Sequence, residues 1–479
     1  MKGMNYPETV LVAHAARELG QPVRWMGDRS EAMLSDNAGR DLICRARLGF
    51  DADNRLSAYR MDNVANIGAY NSGYAQHIQS ELFSKVMPGC YDVQACFMTS
   101  RGIFTNTTQV DAYRGAGRPE AIYVLERAMD FAARELGVDR FELRRKCFIQ
   151  PDQFPYESAM GETYDVGDFP RVLNRAMREA DVTGFDARRE ESATHGKLRG
   201  LGLCYYIESI LGDPSESAEI EFTDDVRVTL YDRIATGGGT GGSRSVTTQG
   251  TANRATTARV IEKFTPFVAG LMDVETVDFE DGGFRAAGSN TVMTVLEAAA
   301  AAREAGETEL LKTRETATLP GRSFPNGAHL CEVEIDGDTG HLEVVKYTVV
   351  DDFGNLMNPM LAEGQVHGGV VQGIGQAVSE HVVYDETGQL LTASFMDYGM
   401  PRAVQVPMIA FHSEPVPSTA NVLGMKGCGE AGTVGAMAAV GNAALDALWD
   451  LGLRRVDMPF TPSRVWSMLQ QAKGSIAAE

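Results

Sequence analysis

The stretch Gly424-Met-Lys-Gly-Cys-Gly-Glu-Ala-Gly432 sets one carboxylate, Glu430, among four glycines, just before a small-residue helix pattern from Thr433 to Trp449. Glycines let a backbone come close to a ligand and adopt positive φ without penalty. A carboxylate at such a loop-to-helix junction can serve as a positioned proton acceptor. The same residues would equally make an N-terminal helix cap behind a glycine hinge, because acidic residues favour helix N-termini. The rest of the chain has to decide between these readings.

With 479 residues the chain is too long for one ordinary domain, so two or more cores are expected. A formal net charge of -21 argues against a nucleic-acid or anionic-membrane surface. The seven cysteines, at 44, 90, 96, 147, 204, 331 and 428, form no C-x-x-C pair. They point away from a disulfide framework, a zinc site or an iron–sulfur cluster and read as reduced thiols in a cytoplasmic compartment. No apolar run approaches the roughly 20 residues needed to span a bilayer, and the N-terminus has no signal-peptide apolar region.

Met1 to Pro7 lead straight into a helix pattern, Pro7 to Leu19, closed by Gly20. Leu42 to Phe50 and Leu56 to Val64 flank a turn and predict a β-hairpin. A helix is expected after Pro119, ending at Gly137. The polar run 181–198 reads as a linker between two domains. Beyond it, strand patterns at Gly200–Ile210 and Glu216–Leu230 precede a glycine-rich segment, Thr236 to Ser245. A helix over Ala298–Ala305, a hairpin over 329–350 turning at Gly337–Gly340, and a helix after Pro462 complete the pattern. Strands and helices mix without steady βαβ alternation, so the fold class is α+β.

Three further constellations carry chemistry. Gly237–Gly242 formally matches G-x-G-x-x-G, with Glu262 about where a dinucleotide fold places its acid. The Ser/Thr-rich run after Ser243 makes a poor first helix turn, however. The segment reads as a flexible loop, a nicotinamide-binding loop, or a nest of N–H groups that cradles an anion. Ala112-Tyr-Arg-Gly-Ala-Gly-Arg-Pro-Glu-Ala121 puts Arg114 and Arg118 just before a helix, where they could hold phosphate or carboxylate or simply form surface ion pairs. Asp351–Met360 leads into Glu363–Gln376, where Gln365, Gln372 and Gln376 lie among glycines. Their amides can donate to and accept from a heterocycle, or the glycines can serve close helix packing. His367 reads as a satisfied polar residue, since no second ligand stands at metal spacing.

Taken together, AYRGAGRPEA (112–121), GTGGSRS (239–245), FPNGAHLCEVEID (324–336), the 351–377 run and GMKGCGEAG (424–432) carry a resemblance. The sequence resembles the molybdopterin-binding large subunit of the xanthine dehydrogenase and aldehyde oxidase family, in its carbon-monoxide-dehydrogenase-like branch. The resemblance implies two mixed α+β cofactor-binding domains, 1–185 and 198–475. It implies molybdenum held by a pterin dithiolene, as the cytosine dinucleotide form, with no protein side chain as a metal ligand. Glu430 is then the catalytic base for oxidative hydroxylation of an aldehyde or N-heterocycle, with water as the oxygen source. Cofactor contacts fall on Arg114, Gly115, Ala116, Gly117, Gly241, Gly242, Ser243, Arg244, Ser245, Gln365, Gln372, Gly427, Cys428 and Gly429. A small [2Fe–2S] subunit and a medium FAD subunit are the implied partners, in a dimer of heterotrimers.

Three departures accompany the resemblance. Carbon monoxide dehydrogenases look like AYRCSFR where this chain has Gly115, so copper-dependent CO oxidation is not expected. The family's GGGFG loop, which would precede Lys2–Pro7, does not occur in this sequence. A GQGH-type loop is missing near 231–232, where Tyr231 runs directly into Asp232. These gaps lead to the expectation that the 479-residue chain binds the cofactor weakly. They leave open a non-catalytic fragment that only binds partners, and a nicotinamide oxidoreductase using Gly237–Gly242.

Overall fold

The computed structural model describes residues 6–223, 228–230 and 239–476. It divides into two compact units: residues 1–209, 324–416 and 428–479, and residues 210–323 and 417–427.

The first unit is organised around the Ala431–Leu448 helix, every residue of which is buried. By length and composition this helix could cross a membrane, contrary to the reading that no apolar run comes close, yet it is wholly enclosed by its own unit. It lies on a four-stranded sheet ordered Ile409–Ser413, Leu342–Asp352, Asn326–Asp336 and Lys197–Ile207. The last three strands pair antiparallel, and the first joins parallel to Leu342–Asp352. Contact is this close because the facing residues are glycines. A Cβ on Gly200 would stand 2.1 Å from Ala443 O, and one on Gly202 would stand 2.0 Å from Ala439 O. The Pro359–Val378 helix crosses the same helix in the same way, Gly369 against Gly432 and Gly373 against Ala436. The glycines of 363–376 therefore do serve helix packing.

Several sequence readings reappear, with ends that agree or differ by a few residues. They include the Pro7–Leu19 helix with Gly20 at φ 65°, the Leu42–Phe50 and Leu56–Gly68 hairpin, and the Arg118–Leu136 helix closed by Gly137. The Asn326–Asp336 and Leu342–Asp352 hairpin and the Pro462–Ile476 helix do so as well. The polar run 181–198 is different. It holds a helix, Phe185–Thr194, whose Arg188 pairs with Glu332 at 2.7 Å and whose Phe185 is buried, so its charges tie it into the first unit.

The second unit has a three-stranded antiparallel sheet of Lys312–Thr318, Ser215–Phe222 and Val228–Leu230, and a smaller sheet formed within 277–294. The Gly250–Leu271 and Val295–Glu304 helices bury Val260, Phe264 and Ala298 with Ile220, Phe222 and Phe284. The Ser/Thr run judged a poor helix start is a π-helical turn, Ser245–Gln249, that opens the long helix. Its hydroxyls explain this, since Thr247 and Thr248 donate to Arg244 O at 3.0 and 2.8 Å, and Thr251 donates to Thr247 O at 2.6 Å. A nicotinamide fold is not supported here, because Val228–Leu230 pairs antiparallel rather than within a parallel βαβ unit. Gly237, Gly238 and the Tyr231–Asp232 junction lie outside the described residues.

Asp446, near the end of the buried helix, collects three cations. It accepts from Arg134 at 2.5 Å, from Arg189 at 2.6 Å, from Leu201 N–H at 2.9 Å, and from Arg140. Burial alone would raise its pKa, but Arg140, Arg189 and Arg134 together hold it below the ordinary carboxylate value. A carboxylate with a depressed folded pKa stabilises fully above its unfolded pKa and ceases to do so as pH falls through the folded value. Asp446→Asn should therefore cost about 3–5 kcal/mol at neutral pH, with the difference from wild type shrinking in acid. Denaturant unfolding of both proteins at pH 7 and pH 3 checks this, and an equal difference at both would contradict it.

Candidate functional site

Glu430 occupies the N-cap position of the buried helix and its side chain is 15% exposed. The 112–121 loop meets it from the same unit. Gly115 N–H donates to Glu430 Oε1 at 2.8 Å. Arg118 Nη2 stands 2.7 Å from Oε2 without the angle of a hydrogen bond, so the contact is an ion pair. Arg118 is fully buried, donates through Nε to Gly115 O and through Nη1 to Ser209 O at 3.2 Å, and faces a second buried carboxylate, Glu208, at 3.6 Å.

The loop reaches this position through a backbone most residues avoid: Gly115, Ala116 and Gly117 have φ of 98°, 34° and 88°. A Cβ on Gly115 would stand 2.2 Å from Pro119 Cγ. One on Gly117 would stand 2.6 Å from Ile78 O and 2.8 Å from Phe83 N, on the π-helical turn Ile78–Leu82 and the residue after it.

Arg114 points the other way along the loop. Its Nε donates to Gly429 O at 2.6 Å, and its Nη2 donates to Gln365 O and Oε1 at 2.9 and 3.0 Å. Among the described residues Nη1 donates to nothing. Burial draws the Arg114 pKa below its ordinary value, with Glu430 and Glu208 acting in opposition. Gln372 hydrogen-bonds Tyr113, and Gln376 accepts from Arg40 at 2.8 Å. Gln365 and Gln372 thus latch the 112–121 loop to the Pro359–Val378 helix, and Gln376 reaches it through Arg40, which donates to Arg114 O. His367 bonds Ile409 O at 3.1 Å, and the described residues hold no cluster of metal-ligating side chains. Cys428 is a protonated thiol at neutral pH, since burial, then Glu208 and Asp351, push it up to about 11.

In the first unit, therefore, Arg114–Gly117, Gln365, Gln372, Cys428, Gly429 and Glu430 come together. Gly241–Ser245 and Gly427 belong to the second unit, where a Cβ on Gly427 would stand 2.1 Å from Ser243 O. Gly242 and Ser243 take φ of 63° and 60°, and Gly241 borders open space. Arg244 turns inward: it is 2% exposed and donates to Glu216, Gly239 O, Ser215 O and Asp213 O, which leaves only its backbone for a ligand. Glu208 escaped the sequence reading. The available signal was an acid directly after the apolar run Leu201–Ile207 of a strand, a pattern that marks a paired buried charge.

Two segments match models of a molybdopterin cofactor-binding domain, residues 1–148 and 224–407. The structure is similar to that of quinoline 2-oxidoreductase from Pseudomonas putida 86, with a TM-score of 0.90 and 30% identity over 98% of this chain and 67% of that one. The chain belongs to the molybdopterin-binding large subunits of the xanthine dehydrogenase and aldehyde oxidase family. Within this family it is 30% identical to the gamma subunit of the 6-hydroxypseudooxynicotine dehydrogenase complex of Paenarthrobacter nicotinovorans, over 98% of this chain. It is also 30% identical to the carbon monoxide dehydrogenase large chain of Afipia carboxidovorans, over 97% of this chain. The chain spans 65% of the length of each of these two family members.

The loop geometry makes a direct claim on stability. Gly117→Ala should cost more than Gly137→Ala, which carries only left-handed strain of about 1–2 kcal/mol, because Gly137 has open space around it. Equal losses in thermal unfolding would contradict the close approach at Gly117.

Proposed function

We propose that this chain is the catalytic part of a molybdenum hydroxylase large subunit, acting on an aldehyde or N-heterocycle, and that Glu430 is its general base. The reading rests on one observation: Glu430 is held at both oxygens, on the end of a rigid buried helix, inside a glycine-lined loop. The donor set suits an anionic pterin group. Arg114 is a partly desolvated cation with Nη1 unused among the described residues, and Gly241 borders open space in the second unit. Gly115, Ala116, Gly117, Gln365, Gln372, Gly427, Cys428 and Gly429 are the other residues assigned to the cofactor, which we take to be the cytosine dinucleotide form.

Bound, the molybdenum–pterin group supplies the two-electron oxidation. The protein supplies position and a proton acceptor. Glu430 takes the proton released as a water-derived oxygen bonds to an electron-poor carbon, while Gly115 N–H and Arg118 fix the aim of its carboxylate. Arg114 holds Gly429 and Gln365 in place around it. Electrons leave to an iron–sulfur subunit and an FAD subunit, and the assembly works in the cytoplasm. These partners accord with relatives named as one subunit of a complex or as a large chain.

Glu430→Gln keeps shape and removes basicity. In cofactor-loaded protein it should slow single-turnover reduction by substrate at least roughly 10²-fold, at equal molybdenum occupancy. Equal rates would place the base elsewhere. The same loop argues against copper-dependent CO oxidation, because a side chain at 115 meets the Pro119 ring. Gly115→Cys should lower thermal stability and should not confer CO-dependent dye reduction in the presence of copper. Gain of that activity would refute the claim.

A further inference from the structure

Glu430 is held as a charged group in three ways: by the Gly115 N–H, by the Arg118 guanidinium, and by its place at a helix N-terminus. Each of these favours the ionised form and would leave a weak base. Arg118, however, does not serve Glu430 alone. Its Nε and Nη1 are fixed on Gly115 O and Ser209 O, and Nη2 faces Glu430 at 2.7 Å and Glu208 at 3.6 Å. Arg118 and Glu208 are both fully buried. Arg114 from the same loop also acts on Glu430, and the Cys428 thiol lies two residues before it. Gln365, from the Pro359–Val378 helix, is neutral.

We propose that Arg118 is a positioning residue shared between Glu430 and Glu208, and that Glu208, acting through it, sets the pH at which Glu430 holds a proton. This rests on the reading of Glu430 as the base and adds the groups that tune it. Two carboxylates on one buried guanidinium titrate as a coupled set. Removing the Arg118 charge takes away the cation that both carboxylates share, so Glu430 holds its proton more tightly. Removing the Glu208 charge leaves the guanidinium to Glu430, so the proton is lost more readily. The two changes must act in opposite directions, which a purely structural role for either residue would not produce.

The test is a pH titration of the Glu430 carboxyl stretch by infrared spectroscopy. It uses the full 479-residue protein labelled with ¹³C at glutamate carboxylates, the band being assigned by its loss in Glu430→Gln. Arg118→Met should raise the midpoint by about 1–3 pH units, Glu208→Gln should lower it by about one, and Arg118→Lys should keep it close to wild type. Circular dichroism checks the fold of each variant, and if Arg118→Met does not fold, Glu208→Gln and Arg118→Lys decide. A midpoint that Glu208→Gln leaves unchanged or raises overturns the proposal. The titration is independent of turnover. Slow turnover in Glu430→Gln with unshifted midpoints would keep the base and remove the role of Arg118 and Glu208. Shifted midpoints with full turnover in Glu430→Gln would uphold the coupling and remove the base.

Discussion

A helix can lie with its backbone against a sheet only where the facing side chains are absent or no larger than a methyl. Gly200 and Gly202 on the strand, and Ala439 and Ala443 on the helix, meet that condition in the first unit. Gly369 and Gly373 meet it again from the other side, against Gly432 and Ala436. The interior so formed has almost no room for relaxation, and close-packed interiors transmit small displacements rather than absorb them. Glu430 stands at the first turn of this helix, so its position is set by the packing of the whole unit and not by its own loop alone. Asp446 anchors the opposite end through Arg134, Arg140 and Arg189.

At the Glu430 end the arrangement is electrostatic. Arg118 and Arg114 are neighbours in one glycine loop but have different tasks. The first is sealed off with two carboxylates, and the second holds Gly429 and Gln365, its Nη1 donating to nothing among the described residues. Positive φ at 115, 116 and 117 lets so short a segment present both. Such strained loops persist where the surrounding structure over-determines them, and they cluster at functional sites.

Much of the fold was legible because local signals agreed with it. Pro7 and Gly20 bracket a helix that needs no tertiary help to be recognised, and the alternation in 326–352 matches a hairpin paired residue by residue. The polar run 181–198 was read as a linker from its composition, whereas Arg188 and Arg189 pair inward with Glu332 and Asp446. The Ser/Thr run after Ser243 misled because its hydroxyls bond back to helix carbonyls. In the candidate site, glycine spacing pointed to Glu430, Gly115 and Gly429. Spacing cannot tell which way an arginine turns, so the inward Arg244 and the buried role of Arg118 were hidden. Glu208 lay concealed just past the Lys197–Ile207 strand, 222 positions before Glu430 in the chain.

The central claim is that this glycine-lined carboxylate faces a molybdenum–pterin group. A crystal structure of the protein loaded with that cofactor tests it most directly. The account predicts molybdenum held only through the pterin and small ligands, with the Glu430 carboxylate beside it and Arg118 still paired to that carboxylate. A metal ligated by Cys428, or a cofactor seated with Glu430 turned away from it, would contradict the account.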